Sequence, residues 1–246
     1  SSLFFRKIGK DILDYSLDRP LDIDQSREDF LSDSFILLNK LKQQLIGPGE
    51  FKNIKVKNKD IHNAVYRLYD NYDRKLNEEN FMDFGKLLMA TYSIIENKKN
   101  IRNEIQNKFE FVLVDEYQDT NPAQVNLLKV ISRPQNNYFA VGDEQQSIYG
   151  FRGAQPSHIS EFYDRLPATK KVILTKNFRA NSPLPEFVNR VFHKNIKDYH
   201  PIESTLKGEG DVELYLGNER REEAEFVAAS VKNLLSGGYS PKDIVI

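Results

Sequence analysis

Apolar residues recur at three- and four-residue intervals through the first third of the chain, then give way to short unbroken apolar runs ending in acids and amides. Phe30, Leu31, Ser34, Leu37, Leu38, Leu41 and Leu45 keep helical spacing, and Gly47-Pro48-Gly49 predicts the stop. Asp60 to Leu76 predicts a second helix that buries Ile61, Val65, Leu68 and Tyr72. Phe81 to Ile95 predicts a third, with Phe84, Leu87, Leu88 and Tyr92 along one side. After Asn100 the chain is expected to enter a strand, Phe111 to Val114, which ends in Asp115 and Glu116. A short apolar run bounded by polar residues suits a strand buried on both faces of a parallel sheet.

Asn121 then reads as an N-cap with Pro122 at the first helical position; Val125, Leu128 and Ile131 form the buried stripe and Pro134 the stop. A second strand, Tyr138 to Val141, runs into Gly142-Asp143, and a helix near Pro156 is expected to bury Ile159, Phe162, Tyr163 and Leu166. A third strand, Val172 to Leu174, leads to Thr175-Lys176-Asn177-Phe178-Arg179, and Ser182-Pro183 opens a helix carrying Phe187, Val188, Val191 and Phe192. Strands alternating with helices at intervals of about 30 residues are a βαβ succession, hence a parallel sheet. Two acids at a strand end are commonplace in isolation. Here every strand delivers polar residues at its carboxyl end, the edge where such sheets bind ligands.

From about Gly208 the composition shifts: Val212 to Leu216 reads as a strand, Asn218 as a cap, and Ala224, Val227, Ala228, Val231 and Leu235 as a helix stopped by Gly237-Gly238. Asp243 to Ile246 reads as the start of another strand. The second domain is therefore expected to begin between Val172 and Ser182 and to be unfinished, the chain being an excerpt of a longer protein.

Charge and composition narrow the classes. Lys and Arg number 35 against 36 Asp and Glu, a formal net charge of -1, so any nucleic-acid surface has to be local. Lys52, Lys55, Lys57 and Lys59 form one such cluster, readable as a solvated loop or as a phosphate-backbone contact. The absence of cysteine excludes disulfides and Cys-ligated metals, and His62, His158, His193 and His200 have no metal-ligand spacing. No apolar run approaches the ~20 residues that span a bilayer, and no signal peptide pattern is present. A cytoplasmic globular protein is the expectation.

Val141 to Ala154 reads VGDEQQSIYGFRGA. Gly142, Gly150 and Gly153 permit tight turns, and Tyr149, Phe151 and Arg152 set two aromatic rings beside a guanidinium. In a loop these suit stacking on unpaired bases, or the rings pack underneath as core.

Three segments, DEYQDTN (Asp115 to Asn121), VGDEQQSIYGFRGA and LTKNFRAN (Leu174 to Asn181), resemble in order and spacing three successive motifs of superfamily 1 DNA helicases of the UvrD/Rep/PcrA type. FMDFGKLL (Phe81 to Leu88) resembles the segment that precedes them, and the stretch from Glu219 to Ile246 resembles the start of the second motor domain. The resemblance covers about Phe81 to Ile246 and reaches the first 80 residues only loosely. It implies an α/β fold, a parallel sheet with flanking helices forming an incomplete RecA-like P-loop NTPase motor core, plus a helical accessory subdomain. The implied boundaries are residues 1–80 for that subdomain, 81–175 for the first motor domain and 176–246 for the start of the second.

It also implies roles. Asp115 would help hold Mg²⁺, and Glu116 would orient and deprotonate the water that attacks the γ-phosphate of ATP. Gln146 would sense that phosphate, Arg179 would neutralise charge developing on it, and Phe178 would stack on adenine. Tyr149, Phe151 and Arg152 would contact single-stranded DNA. The implied protein is an ATP-dependent 3′–5′ helicase or translocase of the kind active in DNA repair, working on single-stranded and duplex DNA.

Two departures matter. Phe151 stands where many relatives carry Trp. No G-x-x-x-x-G-K-[ST] phosphate loop occurs in the 246 residues; Gly47-Pro48-Gly49 lacks the Lys-Ser/Thr pair. The later motifs are also absent, so these residues alone are not expected to hydrolyse ATP efficiently. Two alternatives follow: a non-catalytic, helicase-derived module for DNA binding or assembly, and the motor part of a helicase–nuclease.

Overall fold

The computed structural model describes residues 5, 26–150, 154, 159, 161–162, 169–196 and 199–246. It is a mixed α/β structure that divides into two compact units, residues 1–169 and 170–246. Among the described residues each carries one small parallel sheet.

The first unit begins with helices α1 (Arg27–Gln43), α2 (Pro48–Lys52) and α3 (Lys59–Glu78). Their starts follow local chemistry. Ser26 accepts the Asp29 N–H, Glu50 reaches back to the Gly47 N–H, and Asn58 accepts from Asp60 and Ile61. The predicted periodicities meet in one core of Phe30, Leu31, Leu38 and Leu41 against Val65, Leu68, Tyr69, Tyr72 and Leu76, with Phe5 and Phe51. Leu37 is the exception: it faces outward. The Gly-Pro-Gly stop is also a start, because Pro48 opens α2.

Helix α4 (Phe84–Asn97) starts three residues later than its apolar pattern predicts, because Asp83 caps it by accepting the Lys86 N–H at 2.7 Å. The other Asp83 oxygen takes the Lys42 ammonium at 2.6 Å and the Tyr72 hydroxyl at 2.9 Å. Lys42 is only 1% exposed and lies over the Tyr72 ring at 4.6 Å. One buried carboxylate thus ties α1, α3 and α4 together. Gly85 permits this approach, since a Cβ there would sit 2.8 Å from the Lys42 side chain. The predicted apolar side of α4 is only partly covered: Phe84 and Leu87 are exposed and Ile95 is its buried residue.

A helix that the apolar pattern does not announce, α5 (Lys99–Lys108), follows where a turn into the strand was expected. It buries none of its residues and is held in part by Gln106 donating to the Val130 carbonyl at 2.6 Å. Strands β1 (Val112–Val114) and β2 (Tyr138–Ala140) pair in parallel with Leu113 opposite Phe139. The crossover helix α6 (Pro122–Ile131) opens as predicted, with Asn121 and Gln124 exchanging a reciprocal capping box. The expected burial on both faces does not hold. Alternate residues of a strand point to opposite sides, and Leu113 and Phe139 are 72% and 61% exposed. The tyrosines of the other side are covered: Tyr138, Tyr117 and Phe162 form an edge-to-face cluster with centroids 5.0–6.0 Å apart. Of the predicted helix near Pro156, Ile159, Glu161 and Phe162 are helical; its other positions, Tyr163 and Leu166 among them, lie outside the described residues.

In the second unit β3 (Lys176–Asn181) pairs in parallel with β4 (Glu203–Leu206) around α7 (Pro183–Asn195). This corrects the expected third strand. Val172 to Leu174 are exposed and outside any strand, the ladder begins at Lys176, and its partner is β4 in a separate sheet. The polar side chains set that register: Asn189 accepts from Tyr199 and the Ile202 N–H and donates to the Ile202 carbonyl. Val212 to Leu216 and Ile244 to Ile246 are likewise not strands, because neither finds a ladder partner among the described residues. Tyr215 instead stacks on Phe226 at 4.1 Å. Helix α8 (Arg220–Ser236) is capped at Glu219 rather than Asn218, which bonds the Glu222 carboxylate. A final 3₁₀ turn spans Pro241–Asp243. No helix among the described residues is long and apolar enough to cross a membrane.

Candidate nucleotide site

The carboxyl ends of β1 and β2 lie side by side because the strands are parallel and in register, so the loops that leave them meet. The Val141 N–H donates to the Val114 carbonyl and the Tyr117 N–H donates to the Val141 carbonyl, both at 2.9 Å. Between those bonds the chain turns sharply. Glu116 adopts the left-handed conformation, φ 48° and ψ 45°, which is uncommon for a residue with a Cβ and is concentrated at functional sites. That turn starts a short 3₁₀ segment, Tyr117–Asp119, and buries Tyr117 and Gln118 while Asp115 and Glu116 stay exposed.

Gln118 is the residue that the sequence reading passed over. It is 1% exposed, and both ends of its amide are used. Its Nε2 donates to the Glu116 carboxylate at 2.7 Å, and its Oε1 accepts the Asp143 N–H at 3.0 Å. Ser147 Oγ donates to its main-chain carbonyl at 3.4 Å. The only available signal was its place between two acids in DEYQD. Nothing in that pattern distinguishes a buried amide from an exposed one.

The second loop has its own organisation. Asp143 accepts the Gln145 N–H on Oδ1 and the Gln146 side-chain amide on Oδ2, at 3.0 and 2.8 Å, so Gln146 is tethered at the end of a 3₁₀ turn, Glu144–Gln146. Gln146 is exposed and Tyr149 half-buried. Phe151 and Arg152 lie outside the described residues. The structure therefore brings together Asp115, Glu116 and the Asp143–Gln146 turn. Phe178 and Arg179 belong to the second unit, both exposed on β3, where Asn177 Oδ1 accepts the Arg179 and Ala180 N–H groups at 2.9 and 2.8 Å.

Asp115 is an exposed carboxylate whose Oδ1 accepts the Glu116 N–H at 3.0 Å. No cluster of three or more acidic or histidine ligands occurs among the described residues. An exposed carboxylate outside any such cluster fits a Mg²⁺ that takes its remaining ligands from phosphate and water, and fits poorly a cation needing an all-protein cage.

One parallel sheet edge thus carries an acid pair beside an amide-bearing turn. The family model for the UvrD/REP helicase N-terminal domain matches residues 5–167, and the chain belongs to that family. It is 32% identical over 205 residues to "Putative ATP-dependent DNA helicase YjcD" of Bacillus subtilis (strain 168), which covers 80% of this chain and 27% of that protein. It is 31% identical over 211 residues to ATP-dependent DNA helicase PcrA of Staphylococcus epidermidis and of Staphylococcus aureus, covering 85% of this chain and 28% of each relative. The chain thus spans little more than a quarter of the length of these relatives.

Proposed function

We propose that this chain is part of an ATP-dependent 3′–5′ DNA helicase or translocase, an intracellular motor that couples Mg·ATP hydrolysis to movement on single-stranded DNA. The observation that carries the reading is the meeting of Asp115 and Glu116 with the Gln146 turn at one sheet edge, in a chain of the UvrD/REP family. Asp115 would hold a Mg²⁺ directly or through water, and that ion would supply positive charge beside the phosphates. Glu116 takes the proton of the attacking water. Gln146 reads the γ-phosphate, exchanging its bond to Asp143 for one to the nucleotide. Arg179 stabilises the charge of phosphoryl transfer, and Phe178 stacks on the base.

The RecA-like core is completed by a phosphate loop that these 246 residues do not contain, so they alone do not turn over ATP. The second reading is a helicase-derived DNA-binding or assembly module. Unwinding by the whole protein of duplexes with 3′ or 5′ single-stranded tails decides between them and sets the direction. The motor reading expects unwinding from the 3′ tail only. A preference for the 5′ tail overturns the direction, and DNA binding without ATP-dependent unwinding overturns the motor.

The DNA-contact assignment has a separate test. Tyr149→Ala with Phe151→Ala is expected to weaken single-strand binding by roughly 1–3 kcal/mol per base lost from the stack and to leave ATP binding unchanged. Loss of the native fold in circular dichroism would show instead that the rings are core.

A further inference from the structure

We infer that Gln118 is a positioning residue for the ATPase reaction, a buried amide that sets the Glu116 carboxylate and joins it to the turn carrying Gln146. The inference rests on the reading of Glu116 as the base that activates water. Glu116 is exposed and sits on a left-handed backbone, so its side chain has little packing to hold it. The 2.7 Å bond from Gln118 Nε2 supplies one fixed direction. A carboxylate that accepts a neutral amide N–H is oriented without being neutralised, and it keeps its second oxygen for the water.

The other end of the same amide makes the link. Oε1 accepts the Asp143 N–H, and the Asp143 side chain holds the Gln146 amide. The path runs Glu116–Gln118–Asp143–Gln146 through three hydrogen bonds of 2.7–3.0 Å. When Gln146 leaves Asp143 for a phosphate, the strain falls on a turn whose backbone is bonded to the residue orienting the base. Base geometry and phosphate sensing are thereby coupled over a short path. Gly142 makes room for it: a Cβ there would lie 2.6 Å from Gln118 Oε1 and 2.9 Å from Ile159 Cδ1. Tyr117 and Tyr138, packed edge to face, keep the covered side of the turn apolar.

The test uses the whole protein and single-stranded-DNA-stimulated ATPase, with kcat and KM for ATP measured separately. Gln118→Met removes both bonds at similar volume. Gln118→Glu keeps an acceptor for the Asp143 N–H and replaces the donor to Glu116 with a repelling oxygen. Gly142→Ala displaces the Gln118 side chain without altering it. All three are expected to lower kcat about 10–100-fold at unchanged KM, the range for partners that orient reacting groups. Gln118→Glu is expected to stay folded because its second bond survives.

Wild-type kcat in Gln118→Glu and Gly142→Ala overturns the inference. So does a rise in KM that matches the fall in kcat/KM, because that reports binding rather than positioning. If Gln118→Met unfolds, the other two variants decide. Glu116→Gln separates this inference from the reading beneath it. Should that variant retain ATPase activity, Glu116 is not the base. Should it be inactive while the Gln118 and Gly142 variants are normal, only the role of Gln118 fails.

Discussion

In the whole protein, Glu116→Gln is expected to reduce DNA-stimulated ATP hydrolysis by about 10²–10⁴-fold, the usual contribution of a positioned general base, while ATP still binds. The amide has the shape of the carboxylate and can still accept the Gln118 N–H through its oxygen, so the left-handed turn and the buried glutamine stay in place. What it lacks is a lone pair basic enough to take a proton from water. Asp115 and the Gln146 turn are untouched, so the metal and phosphate contacts remain. Steady-state ATPase with and without single-stranded DNA, together with the affinity for a fluorescent ATP analogue, separates the two effects. Undiminished turnover would remove Glu116 from the reaction and with it the motor reading of this edge.

Lys42→Met is expected to destabilise the first unit by about 3–5 kcal/mol, the cost of leaving one member of a buried ion pair alone. Met keeps the stem that packs against Gly85 and removes the charge that lies over the ring of Tyr72. Asp83 would keep the Tyr72 hydroxyl and the Lys86 N–H as donors, too little for a carboxylate out of water. Adding Asp83→Asn should restore much of the loss, since asparagine caps a helix as well as aspartate does and carries no charge to bury. Equal destabilisation of the single and double variants, read by urea denaturation, would assign the effect to packing.

The same pair predicts an acid limb. Burial pushes the Asp83 carboxyl up, but the charge and hydrogen bond of Lys42, the Lys86 N–H and the Tyr72 hydroxyl together hold it below the ordinary carboxylate range. A carboxylate depressed in the folded state stabilises above its unfolded range, and that contribution fades as the pH falls through the folded one. Lys42 acts in the opposite sense. Burial lowers its ammonium despite Asp83, so it weighs against the fold when protonated and the penalty disappears at high pH. Below pH about 4 lysine is protonated in both states, and the Asp83 carboxylate governs the loss. Lys42→Met should flatten this limb.

Local chemistry was enough for much of the helical part. Helix α3 needs only Asn58 as a cap and the spacing of Val65, Leu68, Tyr72 and Leu76 to place its buried face. Asn121-Pro122 determines the start of α6 in the same way. Both are settled within a turn or two of chain, where capping bonds and 3.6-residue periodicity act. The acid pair and the amide-rich turn were legible for a related reason: each sits immediately after its apolar run, and parallel strands place those ends at one edge.

Strand identity was not local. Val172, Ile173 and Leu174 are as apolar as Val112, Leu113 and Val114, yet only the second set pairs. A strand exists by virtue of its partner. In the second unit that partner is Glu203–Leu206, a polar stretch whose place is decided by the Asn189 contacts with Tyr199 and Ile202. Helix α5 has only Ile101 and Ile105 as apolar residues and buries neither, too few to announce it. Gln118 is the sharpest case. The sequence by itself determined that an amide stands between Glu116 and Asp119. Only the tertiary structure decided that it is buried and divided between Glu116 and Asp143, because that required β2 beside β1 and a residue without a Cβ at 142.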